Sequence, residues 1–302
     1  MRIGIHTSTA GALENSASKA AELGANAFQI FSSSPRMWRT RQPDPEQIAR
    51  LKALREKHDL RPLAIHDSYL INLAAPPSAV RENSIHAFRG EIERALLIGA
   101  DYLVAHPGTY KGITAEQGML NVAEALALAW REVDRALVRN ANLTILLENT
   151  AGAGSQLGGV PAELAAIRHL ASPYLDLPIG FCIDTCHCYV SGFDISQPAG
   201  LEGFLVEAGA TLGFEHIPVI HTNDTKMKLG SRCDRHANIG AGLIGLEGFR
   251  RILNHPALRD KAFILETPVD EPGDDLRNLC ALRQLVEPAP NKRGTAKPAK
   301  RA

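Results

Sequence analysis

The sequence predicts a (β/α)8 barrel, and three observations point to it. Eight short apolar runs recur along the chain, and a longer helical pattern follows each. The runs are almost continuously apolar rather than alternating, as strands covered on both faces are. Seven of the eight end on or beside a histidine or a carboxylate, and the C-terminal ends of barrel strands are where such enzymes gather their chemistry.

Taken in order, strands are expected at 2–6 (RIGIH), 27–31 (AFQIF), 62–66 (PLAIH), 102–106 (YLVAH), 143–148 (LTILLE), 179–184 (IGFCID), 218–221 (PVIH) and 262–266 (AFILE). The first helix is expected at 12–23, with Gly24 as its C-cap. The second, 45–57, has Asp44 at the N-cap and Pro45 in the first turn. Helices at 78–98 (ending at Gly99), 115–139, 161–170, 198–208, 246–253 and 275–286 follow. Leu, Ile and Ala recur in most of them at three-to-four spacing, as in helices packed on a sheet. The alternative is a doubly wound open sheet, and the lack of a G-x-G-x-x-G after the first strand weakens its dinucleotide-binding form. The chain thus divides into one barrel domain, 1–286, and a basic tail, 287–302 (EPAPNKRGTAKPAKRA), expected to be disordered.

Composition narrows the function classes. Lys+Arg and Asp+Glu both total 33 in 302 residues, which argues against a binder that works by bulk positive charge. The tail contributes five basic residues and one acid, so 1–286 carries 28 basic against 32 acidic residues. A chain this long buries a core without disulfides or metals as staples, so any metal serves chemistry. Five cysteines, three of them in CIDTCHC (182–188), do not form a secreted disulfide framework. No secretory signal and no apolar stretch near 20 residues is visible. The expectation is a cytoplasmic, soluble protein with no membrane partner.

The predicted rim carries His6, His66 with Asp67, His106, Glu148 with Asn149, Asp184 with His187, His221 with Asp224, and Glu266. Asp234 and His236 lie in the loop after the seventh strand, whereas the second strand ends in Phe-Ser-Ser-Ser and supplies no ligand type. His58, His86, His169, His216 and His255 fall in helices or connectors and are given no site role. Imidazole and carboxylate suit Zn²⁺, Mn²⁺ or Fe²⁺, and so many donors exceed one site and suggest two or three metals. Clustered divalent metals activate water near neutral pH and neutralise charge on attacking and leaving oxygens, the requirements of phosphoester hydrolysis. Cys182, Asp184 and Cys186 share strand parity, but the cysteines lack paired C-x-x-C spacing and are expected to be inert thiols beside the ligands. Glu266 and Asp224 are candidates for proton transfer, with Asp224 equally placed to support His221 or His236. Arg36-Met-Trp38 and Tyr69-Leu70 place large residues in loops on the same rim.

These segments resemble the endonuclease IV family of metal-dependent apurinic/apyrimidinic endonucleases. The matching blocks are HDSYLINL (66–73), LENTAG (147–152), GSQLG (154–158), CIDTCH (182–187), HTND (221–224), GSRCDRH (230–236), NIGAGLIG (238–245) and LET (265–267). The resemblance runs from residue 2 to about 285 and implies a xylose-isomerase-like TIM barrel. It also implies three zinc ions, with Mn²⁺ accepted at some positions. His66 and His106 would bind the first, with Glu148 bridging to a second held by Asp184, His221 and Glu266, and His187, Asp234 and His236 would bind the third. Glu148 and Glu266 are the catalytic carboxylates so implied. The substrate would be duplex DNA containing an abasic site, cut on its 5′ side to leave a 3′-hydroxyl and a 5′-deoxyribose phosphate. Arg36, Tyr69 and Leu70 match the family's DNA-inserting positions, although Ser34-Pro35 stand where some relatives carry an amide-bearing pair. Trp38, and Lys226, Lys228 and Arg232 as phosphate contacts, complete the expected DNA surface of a monomer. The competing functions are a metal-dependent sugar isomerase on a related barrel and a non-catalytic DNA-damage binder.

Overall fold

The computed structural model describes residues 1–38, 41–138 and 142–288. All of the expected tail except its first two residues lies outside these, as do the last residue of the helix expected at 115–139 and the two that follow it. Among the described residues, eight parallel strands close into a barrel: β1 (Arg2–His6), β2 (Ala27–Phe31), β3 (Leu63–His66), β4 (Tyr102–Ala105), β5 (Thr144–Glu148), β6 (Ile179–Asp184), β7 (Val219–His221) and β10 (Ala262–Leu265). The order around the barrel is β1-β2-β3-β4-β5-β6-β7-β10, and β1 closes the ring by pairing with both β2 and β10. β8 (Asp224–Thr225) and β9 (His236–Ala237) form a small antiparallel ribbon at the mouth.

The near-continuous apolar strands have two jobs. Ala64, Val104, Leu146, Cys182, Val219 and Ile264 fill the interior as one cluster, the packed filling such a barrel needs. Their strand neighbours, such as Phe28, Leu103, Phe181 and Phe263, are fully buried in the larger cluster that includes the helices, worth roughly 1.5–3 kcal/mol per large side chain.

The helices are α1 (Asn15–Glu22), α2 (Pro45–Lys57), α3 (Ala79–Ile98), α4 (Ala115–Arg131), α5 (Arg135–Val138), α6 (Pro161–Ala171), α7 (Thr185–Ser191), α8 (Pro198–Thr211), α9 (Gly245–Asn254) and α10 (Asp274–Leu285). Asp44 caps α2 as expected, its carboxylate accepting from the Glu46 N–H. Ser78 and Thr114 do the same for α3 and α4.

Three expectations need correction. The helix expected at 115–139 breaks after Arg131, because the Asp134 carboxylate accepts from the Ala136 N–H and starts α5 afresh. The first helix begins three residues late, at Asn15, with residues 12–14 in turns after Gly11 (φ 83°). Cys186 does not continue strand parity with Cys182 and Asp184, because the chain turns into α7 immediately after Asp184. No helix among the described residues is long and apolar enough to cross a membrane.

Candidate metal centre

The strand ends deliver their side chains to one mouth. β3 ends on His66, β5 on Glu148, β6 on Asp184 and β7 on His221, while His106 and Glu266 are the residues just after β4 and β10. Asp184 serves twice. Its Oδ1 accepts from the His187 N–H at 2.8 Å and so caps α7, which fixes the helix start and swings the His187 ring over the barrel.

The nine expected ligands form three contiguous groups. His66, His106 and Glu148 bring donor atoms within 4.8 Å of one another, as do Glu148, Asp184, His221 and Glu266, and as do His187, Asp234 and His236. Glu148 joins the first two through different oxygens. Oε2 lies 3.1 Å from His66 Nε2 and 3.7 Å from His106 Nε2, whereas Oε1 lies 2.9 Å from His221 Nδ1. In the third group, Asp234 Oδ2 is 3.2 Å from His187 Nε2, and Oδ1 is 3.3 Å from His236 Nε2.

The electrostatics follow this layout. Desolvation opposes charge on Glu148, yet the imidazoles around it, His221 and His106 first, hold it well below the usual carboxylate range. Burial likewise works against a charged His66, but the hydrogen-bonded Glu148 outweighs it and pushes His66 up to about 9. His106 stands farther from the same oxygen, and desolvation pulls it down to about 4. Partial burial disfavours an ionised Asp234, and the hydrogen bond and charge of His187 overcome this to bring it down to about 2.

The donor set fits metal ions by a test internal to the fold. His66, His187 and His236 each commit Nδ1 to a backbone carbonyl, those of Asp67 (3.0 Å), Asn149 (2.9 Å) and Glu266 (3.2 Å). Each Nε2 is then the nitrogen turned toward a carboxylate, an arrangement made attractive by a proton or a metal cation between the two. His236 Nε2 and His106 Nδ1 are buried without a hydrogen-bond partner among the described residues. Imidazoles oriented by carbonyls and mixed with carboxylates form the donor environment of divalent transition metals.

One further residue behaves otherwise than expected. Asp224 supports neither His221 nor His236. Its carboxylate accepts from the backbone N–H groups of Gly240, Gly242, Ile244 and Gly245 and from its own neighbour Thr225. It organises the NIGAGLIG loop, and a Cβ on Gly242 would stand 2.3 Å from Asp224 Oδ1, which explains a glycine there. Cys182 and Cys186 lie within ligand reach of the groups, but burial pushes both thiols up to about 12, in keeping with inert neighbours.

Residue-by-residue reading of the strand ends overlooks Gln29 and the role of Asn223. Gln29, fully buried in β2, touches Glu266, His6 and His221. Asn223 donates to Asp184 Oδ2 at 2.6 Å and accepts from the Glu266 N–H at 2.8 Å. An amide inside the apolar run AFQIF is the signal that marks Gln29. His6, beside it, is pulled down to about 4 by burial and packs on Phe31, with ring centroids 4.5 Å apart.

The expected DNA residues divide. Tyr69 is 66% exposed, lines a cleft of about 460 Å³ together with His66, His106, His187 and Glu266, and meets Phe31 edge-on at 5.2 Å. Leu70 is half-buried beside it, and Arg36 is exposed on the loop that Ser68 Oγ ties to β3 through the Pro35 carbonyl at 2.7 Å. Lys226, Lys228 and Arg232 lie on the loop after β8. Trp38 lines a separate cleft of about 450 Å³ against α3, with His86 and Arg89. His58 and His169 are exposed away from the mouth, and His216 and His255 pair with Arg168 and Glu202.

Fold and site together define a TIM barrel built to gather metal ions at the C-terminal mouth of its strands. The family model of xylose isomerase-like TIM barrels matches residues 17–286. A probable endonuclease 4 of Solibacter usitatus is 55% identical, covering 95% of this chain and 97% of the relative. An endonuclease 4 of Thermus thermophilus is 38% identical, over 95% and 99%. The crystal structure of endonuclease IV from another strain of Thermus thermophilus superposes with a TM-score of 0.81 at 37% identity, covering 94% of this chain and 98% of that one. The chain belongs to the endonuclease IV family.

Proposed function

We propose that the protein is a DNA-repair endonuclease that hydrolyses the phosphodiester 5′ to an abasic site in duplex DNA, leaving a 3′-hydroxyl and a 5′-deoxyribose phosphate. The observation that carries this reading is the sharing of Glu148 between two ligand groups through opposite oxygens, with a third group beside them. In-line displacement at phosphorus needs positive charge on both the attacking and the leaving side. His66 and His106 would hold a first zinc, Asp184, His221 and Glu266 a second joined to it by Glu148, and His187, Asp234 and His236 a third. Mn²⁺ would be accepted at some of these positions. Such ions supply a nucleophile from water at neutral pH and neutralise charge on the departing oxygen.

The protein's own residues do the rest. Glu148, sealed from solvent and kept ionised, anchors the imidazoles on either side of it. Glu266 lines the open cleft and is the carboxylate that takes up the proton of the attacking water. Tyr69 and Leu70 enter the base stack beside the lesion, with Arg36 next to them. Lys226 and Arg232 meet phosphates on the opposite rim, and Trp38 makes its contact farther out along the duplex. The protein acts as a monomer in the cytoplasm.

The test is incision of a duplex bearing one abasic analogue, run beside elemental analysis. Single-site incision with about three metals per chain is expected. Aldose–ketose turnover without incision would establish the sugar isomerase instead, and one metal or none would remove the three-ion site.

A further inference from the structure

Strand β2 is the wall that ends without a ligand, yet its Gln29 reaches into the mouth. The amide Nε2 lies 2.5 Å from Glu266 Oε1 and 3.2 Å from His6 Nδ1, and the amide Oε1 lies 2.8 Å from His221 Nε2. With Gln29 itself, these residues come from four adjacent walls of the barrel, β7, β10, β1 and β2 in sequence around the ring. His6 and Gln29 are register partners across β1 and β2.

The orientation of the amide is forced. A carboxylate only accepts hydrogen bonds, so the NH2 group must face Glu266. The opposite flip would press the amide oxygen against a carboxylate oxygen at 2.5 Å. With NH2 toward Glu266, Oε1 faces His221, and His221 must donate from Nε2. Nδ1 is then the nitrogen left for a metal, 2.9 Å from Glu148 Oε1 and 3.3 Å from Glu266 Oε2. The second N–H of the amide makes His6 Nδ1 an acceptor, which puts the His6 proton on Nε2.

We propose that Gln29 is a positioning residue for the second metal site: one amide sets which nitrogen of His221 faces the metal and the angle at which Glu266 is presented, and holds His6 as an Nε2–H tautomer. This rests on reading His221 and Glu266 as metal ligands. The contrast with three of the other imidazoles is the reason to expect a measurable role. His66, His187 and His236 are oriented by backbone carbonyls, which no substitution removes. His221 is oriented by a side chain, so its ring nitrogens are free to exchange roles once that side chain loses its polar end.

The experiment uses the full chain loaded with zinc, comparing the wild type with Gln29→Met, which keeps length and apolar bulk, and Gln29→Glu, which keeps an acceptor for His221 but sets a second carboxylate against Glu266. Graded chelation reads metal affinity, and long-range ¹H–¹⁵N NMR of the histidine rings reads tautomers. Gln29→Met is expected to weaken one zinc by about 10–100-fold, the usual cost of losing a group that orients a ligand, and to leave the others in place. The His221 ring should lose its uniform Nε2–H signature. Gln29→Glu should weaken the same zinc at least as much. A Gln29→Met chain that holds all its zinc with wild-type affinity and an unchanged His221 tautomer overturns the proposal alone. Wild-type protein that holds no zinc overturns it together with the metal reading on which it rests. Should the variants fail to fold, the wild-type spectrum still decides: zinc on His221 Nε2, or a proton on His6 Nδ1, refutes the assignment.

Discussion

Glu148, Asp184 and His221 are sealed in the barrel wall with no exposed surface, whereas the Asp234 side chain is 52% exposed on a loop. The first three are strand-terminal residues, held by the hydrogen-bonded ladder of the barrel itself. Asp234 sits between β8 and β9, in a ribbon whose shape depends on the Asp224 carboxylate gathering the loop that follows. Its own position depends on His187 and His236, its partners across the third group. The deep groups are thus preformed, while the outer group is assembled from a short helix and a loop. A metal held by Asp234 would meet solvent more directly than one held by Glu148, Asp184 and His221.

The strongest way to break that comparison is at the shared oxygen pair. Glu148→Gln removes one ligand from two groups and is expected to cut incision on the order of 10³-fold or more, with two metals lost together. Unchanged incision at reduced metal content would disprove the catalytic assignment of Glu148. Asp234→Asn affects one group, so it should lose one metal and about 10–100-fold in rate. Timed chelation of the wild type sharpens the point, since the outer metal should depart first. Simultaneous loss of all metals, or loss of two before one, would mean that the loop holds its metal as firmly as the wall.

How far these groups are legible in the sequence follows from the same division. Donors at strand ends announce themselves locally, because an apolar run that stops at a histidine or a carboxylate already states its position on the rim. His66, Glu148, Asp184 and His221 are read in this way, and the strand bounds agree to within a residue. Residues that act across the ring leave no such mark. Gln29 meets partners 192 and 237 positions away, so no spacing reveals it, and Asp224 looks like another rim ligand until its backbone partners are seen. The seven-residue α7 escapes as well, since its sequence TCHCYVS reads on from the strand.

The buried imidazoles give the wall a pH signature in the metal-free chain. His66 is pushed up to about 9, and His187 and His221 are also raised well above their ordinary value near 6.5. A raised folded value contributes stability that is fully present below about pH 6.5 and is lost as pH climbs through about 9. Glu148, held low, contributes in the opposite sense, and its share is lost only in acid. Metal-free protein should therefore melt lower at about pH 9.5 than at about pH 6.5. Zinc should abolish that fall, because the metal takes the place of the protons. A metal-free Tm that rises steadily to about pH 9.5 would contradict the ion-paired arrangement of the wall.

The smallest effect is expected farthest from the wall. Residues 1–286 carry 28 basic and 32 acidic residues, and the five basic residues and one acid of the tail bring the total to balance. Four of those acids, Glu148, Asp184, Asp234 and Glu266, belong to the candidate metal groups, so charge at the site would be set by bound cations, with Lys226, Lys228 and Arg232 on the rim adding to them. Ending the chain after Val286 should leave turnover at low salt unchanged. It should lower DNA affinity and flatten its salt dependence by about 0.9 in log–log slope for each phosphate contact the tail makes. Turnover abolished at low salt by this truncation would show that the tail completes the site, and that the gradient from fixed wall to dispensable periphery does not hold.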